Sequence, residues 1–232
     1  MGMKKFVVAL AAIIASISAY SQAQLHLGAR IGGGAAINYQ KLTQVQSAEG
    51  FKDAVTNDKG WELNAKAEAL LGFGRFRFGY RFMYLRSYVE PGNNPYGPLT
   101  DFDRNTVYMN STRTHLFGHY GVLEIAVINS KFFALTPAIA AGGFHGYTVD
   151  NSTKAHTQLS RVSKNRFSIG AELNAEFKIG PVTLMVGPNY YLFNQQDKVN
   201  TKWSRYTHVI GADAGIRVNL LGKAKSRSSA DN

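Results

Sequence analysis

Residues 61–84 read WELNAKAEALLGFGRFRFGYRFMY, and the way they alternate decides the fold. Ahead of the glycine turn, Trp61, Leu63, Ala65, Ala67, Ala69 and Leu71 alternate with Glu62, Asn64, Lys66, Glu68, Leu70 and Gly72. Beyond it, Phe76, Phe78, Tyr80, Phe82 and Tyr84 alternate with Arg77, Gly79, Arg81 and Met83. A period of two belongs to a β-strand, whose successive side chains point to opposite faces. One face here is apolar along its length, and the other mixes both signs of charge with glycine. The turn Gly72-Phe73-Gly74-Arg75 predicts that the two strands pair as an antiparallel hairpin.

The same alternation recurs on both sides of this hairpin. It predicts a first strand over Gln24–Tyr39 and five later ones over Thr112–Ile128, Phe132–Tyr147, Arg166–Ile179, Val182–Phe193 and Arg205–Leu220. The connections alternate in length. Long polar stretches are expected as loops at Gln40–Gly60, Ser87–Ser111 and Thr148–Asn165, with a medium one at Asn194–Ser204. Short turns are expected at Asn129–Lys131 and Gly180–Pro181. Pro137 and Pro188 fall inside strands and predict local bulges, because each removes a ladder donor.

The chain has 232 residues and no cysteine, which excludes a disulfide scaffold, a thiolate metal site and a lipoprotein anchor. Lys4 and Lys5 precede an apolar run from Phe6 to Ile17, and Ser21-Gln22-Ala23 follows with small residues. Residues 1–23 therefore read as a signal peptide cleaved before Gln24. Export and an even number of strands with alternately short and long connections match bacterial outer membrane barrels. The expected fold class is all-β, an eight-stranded antiparallel up-and-down transmembrane β-barrel over residues 24–221, followed by a disordered basic tail at 222–232. The localisation expected is the cell outer membrane. The formal charge of +11 falls to +9 without Lys4 and Lys5. In an exported chain that excess points to anionic lipid, including lipopolysaccharide, and not to nucleic acid.

Alternation alone leaves open which face is inside. A soluble lipocalin-type barrel also has eight strands, with its apolar face inward. The polar face carries Arg30, Lys66, Arg75, Arg77, Arg81, Arg166, Lys178 and Arg217 against Glu62, Glu68, Glu124, Glu172, Glu176 and Asp213. That near-balance suits a narrow lumen in which buried charges must pair. The membrane reading expects an interior network of Arg30, Lys66, Glu68, Arg77, Arg81, Glu124, Glu172, Glu176, Asp213 and Arg217. An eight-stranded barrel is just wide enough for its side chains to fill, so no open channel is expected.

With its signal peptide, its Gly-rich first strand (Gln24 to Gly34) and its last strand, the chain resembles the small outer membrane β-barrel family labelled PorT-like, related in architecture to OmpA and OmpX. In that family the last strand carries an assembly signal, a Gly followed by apolar residues three and five positions on. Gly215, Val218 and Leu220 match it, with Leu220 in the place of the usual terminal aromatic. The resemblance implies recognition by the outer membrane assembly machinery and a structural or binding role through external loops, with an unidentified envelope or extracellular protein as a further partner.

Some membrane barrels are enzymes, and lipid A deacylases use a His-x-Ser-Asn run. The nearest match, His145-Gly146-Tyr147-Thr148, lacks the serine. His115 and His119 share a strand face about 13 Å apart, too far to hold one metal. Glu172 and Glu176 are read as structural. The expectation is no enzyme, cofactor or metal, with a lipid-modifying enzyme, a narrow pore and a soluble carrier as alternatives. Candidate anion-binding loops carry Lys154, Arg161, Lys164, Lys198, Lys202 and Arg205.

Overall fold

Two-residue turns set the spacing of this fold. Phe73 pairs with Phe76 across Gly74-Arg75, and Ile179 pairs with Val182 across Gly180-Pro181. In each turn the first residue is a glycine with φ of 61° or 62°. Glycine adopts that conformation without a Cβ clash, and the resulting twist matches that of the flanking strands.

The computed structural model describes residues 24–47, 50–90, 99–100, 106–107, 112–150, 158–194 and 203–220. Among these residues there is no helix. Eight long strands follow in order: β1 (Gln24–Ser47), β2 (Gly50–Phe73), β3 (Phe76–Glu90), β4 (Thr112–Ile125), β5 (Phe133–Asp150), β6 (Gln158–Ile179), β7 (Val182–Asn194) and β8 (Trp203–Asn219). Each pairs antiparallel with the next, and β1 also pairs with β8, closing an eight-stranded barrel. The segments expected as signal peptide (1–23) and tail (222–232) lie outside the described residues.

The stagger of the barrel can be followed through its partners. Ala35 faces Ile210, then Tyr190, Ala171, Ile139, Leu123, Phe78 and Leu71, and the path returns to Leu25, ten residues down β1. Ten steps over eight strands tilt the strands about 40° from the barrel axis. The stagger is even, so inward and outward phases meet correctly when the sheet closes.

The outward phase is apolar on every strand. Ile31, Ile139, Phe167 and Ile179 are each more than 60% exposed, and Leu63, Phe76, Phe78, Leu184, Ile210 and Ile216 are also exposed. Arg81, Glu124, Glu176 and Arg217 are buried, at 0–1% exposure. The lipocalin arrangement, with apolar side chains inside and charges outside, is therefore not the one adopted.

Several strands run further than their apolar pattern. The expected loop Gln40–Gly60 is mostly paired backbone, with β1 and β2 laddered as far as Ser47 and Gly50. The expected loop Thr148–Asn165 is paired from Gln158 onward. Inside Ser87–Ser111, β3 continues to Glu90, and the two-residue strands Leu99–Thr100 and Thr106–Val107 pair with each other, Thr100 also facing Gln46 of β1. Backbone pairing requires no apolar face, so polar composition concealed these extensions.

The proline bulges are also corrected. β5 passes through Pro137 opposite Leu173 without a shift in register. The irregularity lies in the facing chain: Glu124 pairs with Ala138 and Ile128 with Leu135, four steps against three. Ala126 and Val127 thus form the break, beside the position where Pro137 has no N–H to give. At Pro188 the register with β6 is the same on both sides, Val186 with Ala175 and Asn189 with Glu172, and only the intervening pairs are missing.

Close strand approach explains Gly34. A Cβ there would sit 2.2 Å from the Ile210 carbonyl oxygen and 2.4 Å from the Gly211 Cα. Gly34→Val is expected to destabilise the refolded barrel by about 1–3 kcal/mol. Gly121→Ala, whose added methyl meets nothing nearer than 3.8 Å, should be neutral. Urea unfolding followed by the mobility difference between boiled and unboiled protein measures both.

Candidate functional site: an ion-paired barrel interior

Inward positions of the eight strands bring five cations and five carboxylates into one lattice. Glu68 of β2 lies at its centre. Its Oε2 accepts from Arg30 at 2.7 Å and from Arg81 at 2.8 Å, and its Oε1 accepts from Arg217 at 2.6 Å. Glu172 of β6 is the second hub. It accepts from Arg30, Lys66 and Arg81, each at 2.8 Å, and from the Tyr191 hydroxyl of β7. Lys66 also reaches Asp213 of β8.

Towards the short turns, Arg77 and Arg217 share Glu176 and Glu124. Arg217 donates to Glu176 at 3.0 Å and to Glu124 at 2.9 Å. Arg77 donates to both oxygens of Glu176 and to the Thr136 hydroxyl of β5. Arg77 Nε and Glu124 Oε2 are 2.9 Å apart but misaligned for a hydrogen bond, so this contact is electrostatic. With Thr136 and Tyr191 included, side chains from all eight strands take part.

The lattice thus contains Arg30, Lys66, Glu68, Arg77, Arg81, Glu124, Glu172, Glu176, Asp213 and Arg217. Four other charges read from the sequence as interior behave differently. Arg75 is exposed in its turn, because it is the second residue of a two-residue loop. Lys178 sits at the turn-end mouth, where it donates to the Asn129 side chain and to the Ser130 carbonyl at 2.9 Å. Glu62 and Arg166 are buried, but neither forms an ion pair among the described residues; Glu62 accepts from Asn64 at 3.2 Å. Of the candidate loop cations, Arg161 and Lys164 lie on β6 and Arg205 on β8, so these three belong to strands and not to loops. Lys154, Lys198 and Lys202 lie outside the described residues.

Sequence reasoning missed the aromatic part of the lumen. Tyr120, Phe144, Tyr191 and Phe193 are buried together with Leu85, Leu116 and Met83. Phe144 and Phe193 meet edge to face at 5.2 Å, and Tyr120 and Tyr191 at 5.6 Å. Glycines give the rings room: a Cβ on Gly170 would sit 2.3 Å from the Tyr191 ring, and one on Gly118 2.4 Å from that of Tyr120. The signal available was glycine on the inward phase of a strand opposite or beside a tyrosine.

On the outer wall the histidines are satisfied by tyrosines of adjacent strands. His119 bonds the Tyr80 hydroxyl at 2.6 Å, His115 that of Tyr84 at 2.8 Å, and His208 that of Tyr190 at 2.9 Å. His119 and His145 stack with ring centres 5.7 Å apart and 14° between planes, an arrangement in which their nitrogens do not converge. No metal-ligating group of three or more His, Cys, Asp or Glu occurs among the described residues.

No family model matches the chain, and no curated protein matches it. Similar solved structures include Neisserial surface protein A, at 14% identity over 84% of this chain and 97% of that one, with a TM-score of 0.47. The attachment invasion locus protein Ail of Yersinia pestis, in complex with a heparin analogue, is 15% identical over 82% and 98%, with a TM-score of 0.32. The outer membrane protease OmpT of Escherichia coli is 9% identical over 85% and 97%, with a TM-score of 0.45. At these values none of them assigns an activity, ligand or partner to this chain. The protease does correct one expectation. The structures this barrel is similar to include an enzyme, so the expectation that the chain is not an enzyme is withdrawn.

Removing one member of a buried pair leaves its partners buried without a counter-charge. Arg217→Ala leaves Glu68, Glu124 and Glu176 each short of a cation and is expected to cost about 3–5 kcal/mol. Adding Glu68→Gln should recover part of that loss. Equilibrium unfolding of the single and double variants in detergent measures the coupling; additive losses would count against a shared lattice.

Proposed function

We propose that the chain is an outer membrane β-barrel protein of the small PorT-like group, exported by its N-terminal segment. Its interior is closed by the ion lattice and the aromatic cluster, and its role is structural or ligand-binding through the long connections. One observation carries this reading: the apolar side chains face outward on all eight strands while the charges pair inside. In water, each large exposed apolar side chain forgoes about 1.5–3 kcal/mol of burial, and a continuous apolar ring far exceeds the patches that monomers leave uncovered. Hydrocarbon relieves that cost around the whole circumference at once. The strands also leave no open sheet edge, which spanning a bilayer demands.

Further support comes from the ends of the barrel. Outward-phase charges such as Lys59, Arg86 and Arg113 stand towards the long-connection end, at the margin of the apolar band. Trp61 stacks on Tyr88 at 5.8 Å there, as an interfacial aromatic pair would. Lipopolysaccharide and other outer membrane lipids are the natural contacts of this wall. The last strand's Gly215, Val218 and Leu220 would present the assembly signal to the insertion machinery. Anions or an envelope protein would meet the long connections near Arg161, Lys164 and Arg205.

Phe78→Arg is the discriminating variant. Phe78 is exposed on β3, one outward position beyond the Phe73–Phe76 pair at the turn, and a lipid-facing arginine there is expected to cost at most about 2–4 kcal/mol, the midplane value, and to deplete the folded barrel from the outer membrane fraction. Lys202→Glu should leave assembly intact. Fractionation with an unboiled gel reads both, and equal tolerance of the two changes would overturn the membrane reading. Planar-bilayer recordings test the closed interior: the wild-type barrel should show no steady conductance.

A further inference from the structure

At the turn end the lumen opens into a cavity of about 480 Å³, which borders the ion lattice at Arg77 and Glu176. Its walls include Arg75, Arg77, Lys131, Lys178, His26 and one carboxylate, Glu176. That carboxylate is already neutralised. Arg77 takes both of its oxygens, and Arg217 donates to one of them at 3.0 Å. Arg77 is in turn occupied by Glu176, Glu124 and Thr136.

Three cations remain. Each of the short connections delivers one: Arg75 in the β2–β3 turn, Lys131 between β4 and β5, and Lys178 one residue from the end of β6, beside the Gly180-Pro181 turn. Lys131 Nζ lies 5.2 Å from the centre of the Phe132 ring. Lys178 is held in place by the neutral oxygens of Asn129 and Ser130. None of the three forms an ion pair among the described residues. Three like charges gathered around one cavity repel one another, and an anion between them removes that repulsion.

We propose that this turn-end cup binds a small oxyanion-bearing molecule, a phosphate or a carboxylate, with Arg75, Lys131 and Lys178 as its cationic contacts. The volume lies within the range of about 300–1,000 Å³ typical of small-molecule sites. The chemistry follows from the cup alone; only the compartment it faces, the periplasm, rests on the membrane reading.

The test is calorimetric titration of the full chain, refolded in non-ionic detergent, with inorganic phosphate and, separately, with citrate. Chloride at matched ionic strength serves as the control. Saturable binding of one of the two is expected, and which of them binds identifies the ligand class. Lys131→Gln with Lys178→Gln should weaken it about tenfold or more, as two charge-assisted contacts are lost. Arg75→Gln, on an exposed turn, gives a second variant that keeps the fold. Lys59→Gln at the opposite end should change nothing. The unboiled gel band confirms that each variant is folded. The proposal is overturned if neither anion saturates, if chloride displaces them equally, or if the folded cup variants bind as tightly as wild type. Because the titration uses refolded protein, its failure is separable from a failure to fractionate with the outer membrane.

Discussion

A closed eight-stranded sheet makes a narrow dry compartment, and the charges placed in it are tolerable only as pairs. Glu68 is satisfied by Arg30, Arg81 and Arg217, which come from β1, β3 and β8. Those contacts form only when all four strands are in register. A slip of one residue would turn every inward side chain to the other face. The ionic lattice therefore acts chiefly on specificity: it penalises the wrong closure more than it strengthens the right one. Buried pairs are often no more stable than well-packed apolar residues of the same size, which fits that role.

The lumen divides its packing between two chemistries. The ionic lattice occupies the middle and reaches towards the short turns. The aromatic cluster of Phe144, Tyr191 and Phe193, with Leu85 and Leu116, packs beside it from β3, β4, β5 and β7. Tyr191 joins them, because its ring packs over Gly170 while its hydroxyl donates to Glu172. The lattice ends at Arg77 and Glu176, and below them lies the basic cup. The lattice is balanced, with five cations and five carboxylates, and at the turn end Arg75, Lys131 and Lys178 form no ion pair among the described residues.

On the long-connection side the β1–β2 ladder continues to Ser47 and Gly50, and among the described residues the β1–β8 ladder reaches Leu42 and Trp203. The short strand Leu99–Thr100 joins this extension, with Thr100 paired to Gln46 of β1.

The alternation in residues 61–84 and its repeats determined the two faces, the eight strands and the glycine turns, because each depends only on the period of two and on local backbone freedom. Tertiary structure decided the rest. The strand extensions at residues 40–47, 50–60 and 158–165 carry no amphipathic signal, since pairing there is a matter of backbone and not of burial. The break at Ala126-Val127 arises across from Pro137, in a neighbouring strand that a linear reading does not connect to it. Arg75 and Lys178 have the inward or turn pattern of lattice members, yet their height in the barrel puts them at the mouth. Which glutamate meets which arginine depends on a stagger of ten residues, and that quantity exists only once β1 has closed on β8.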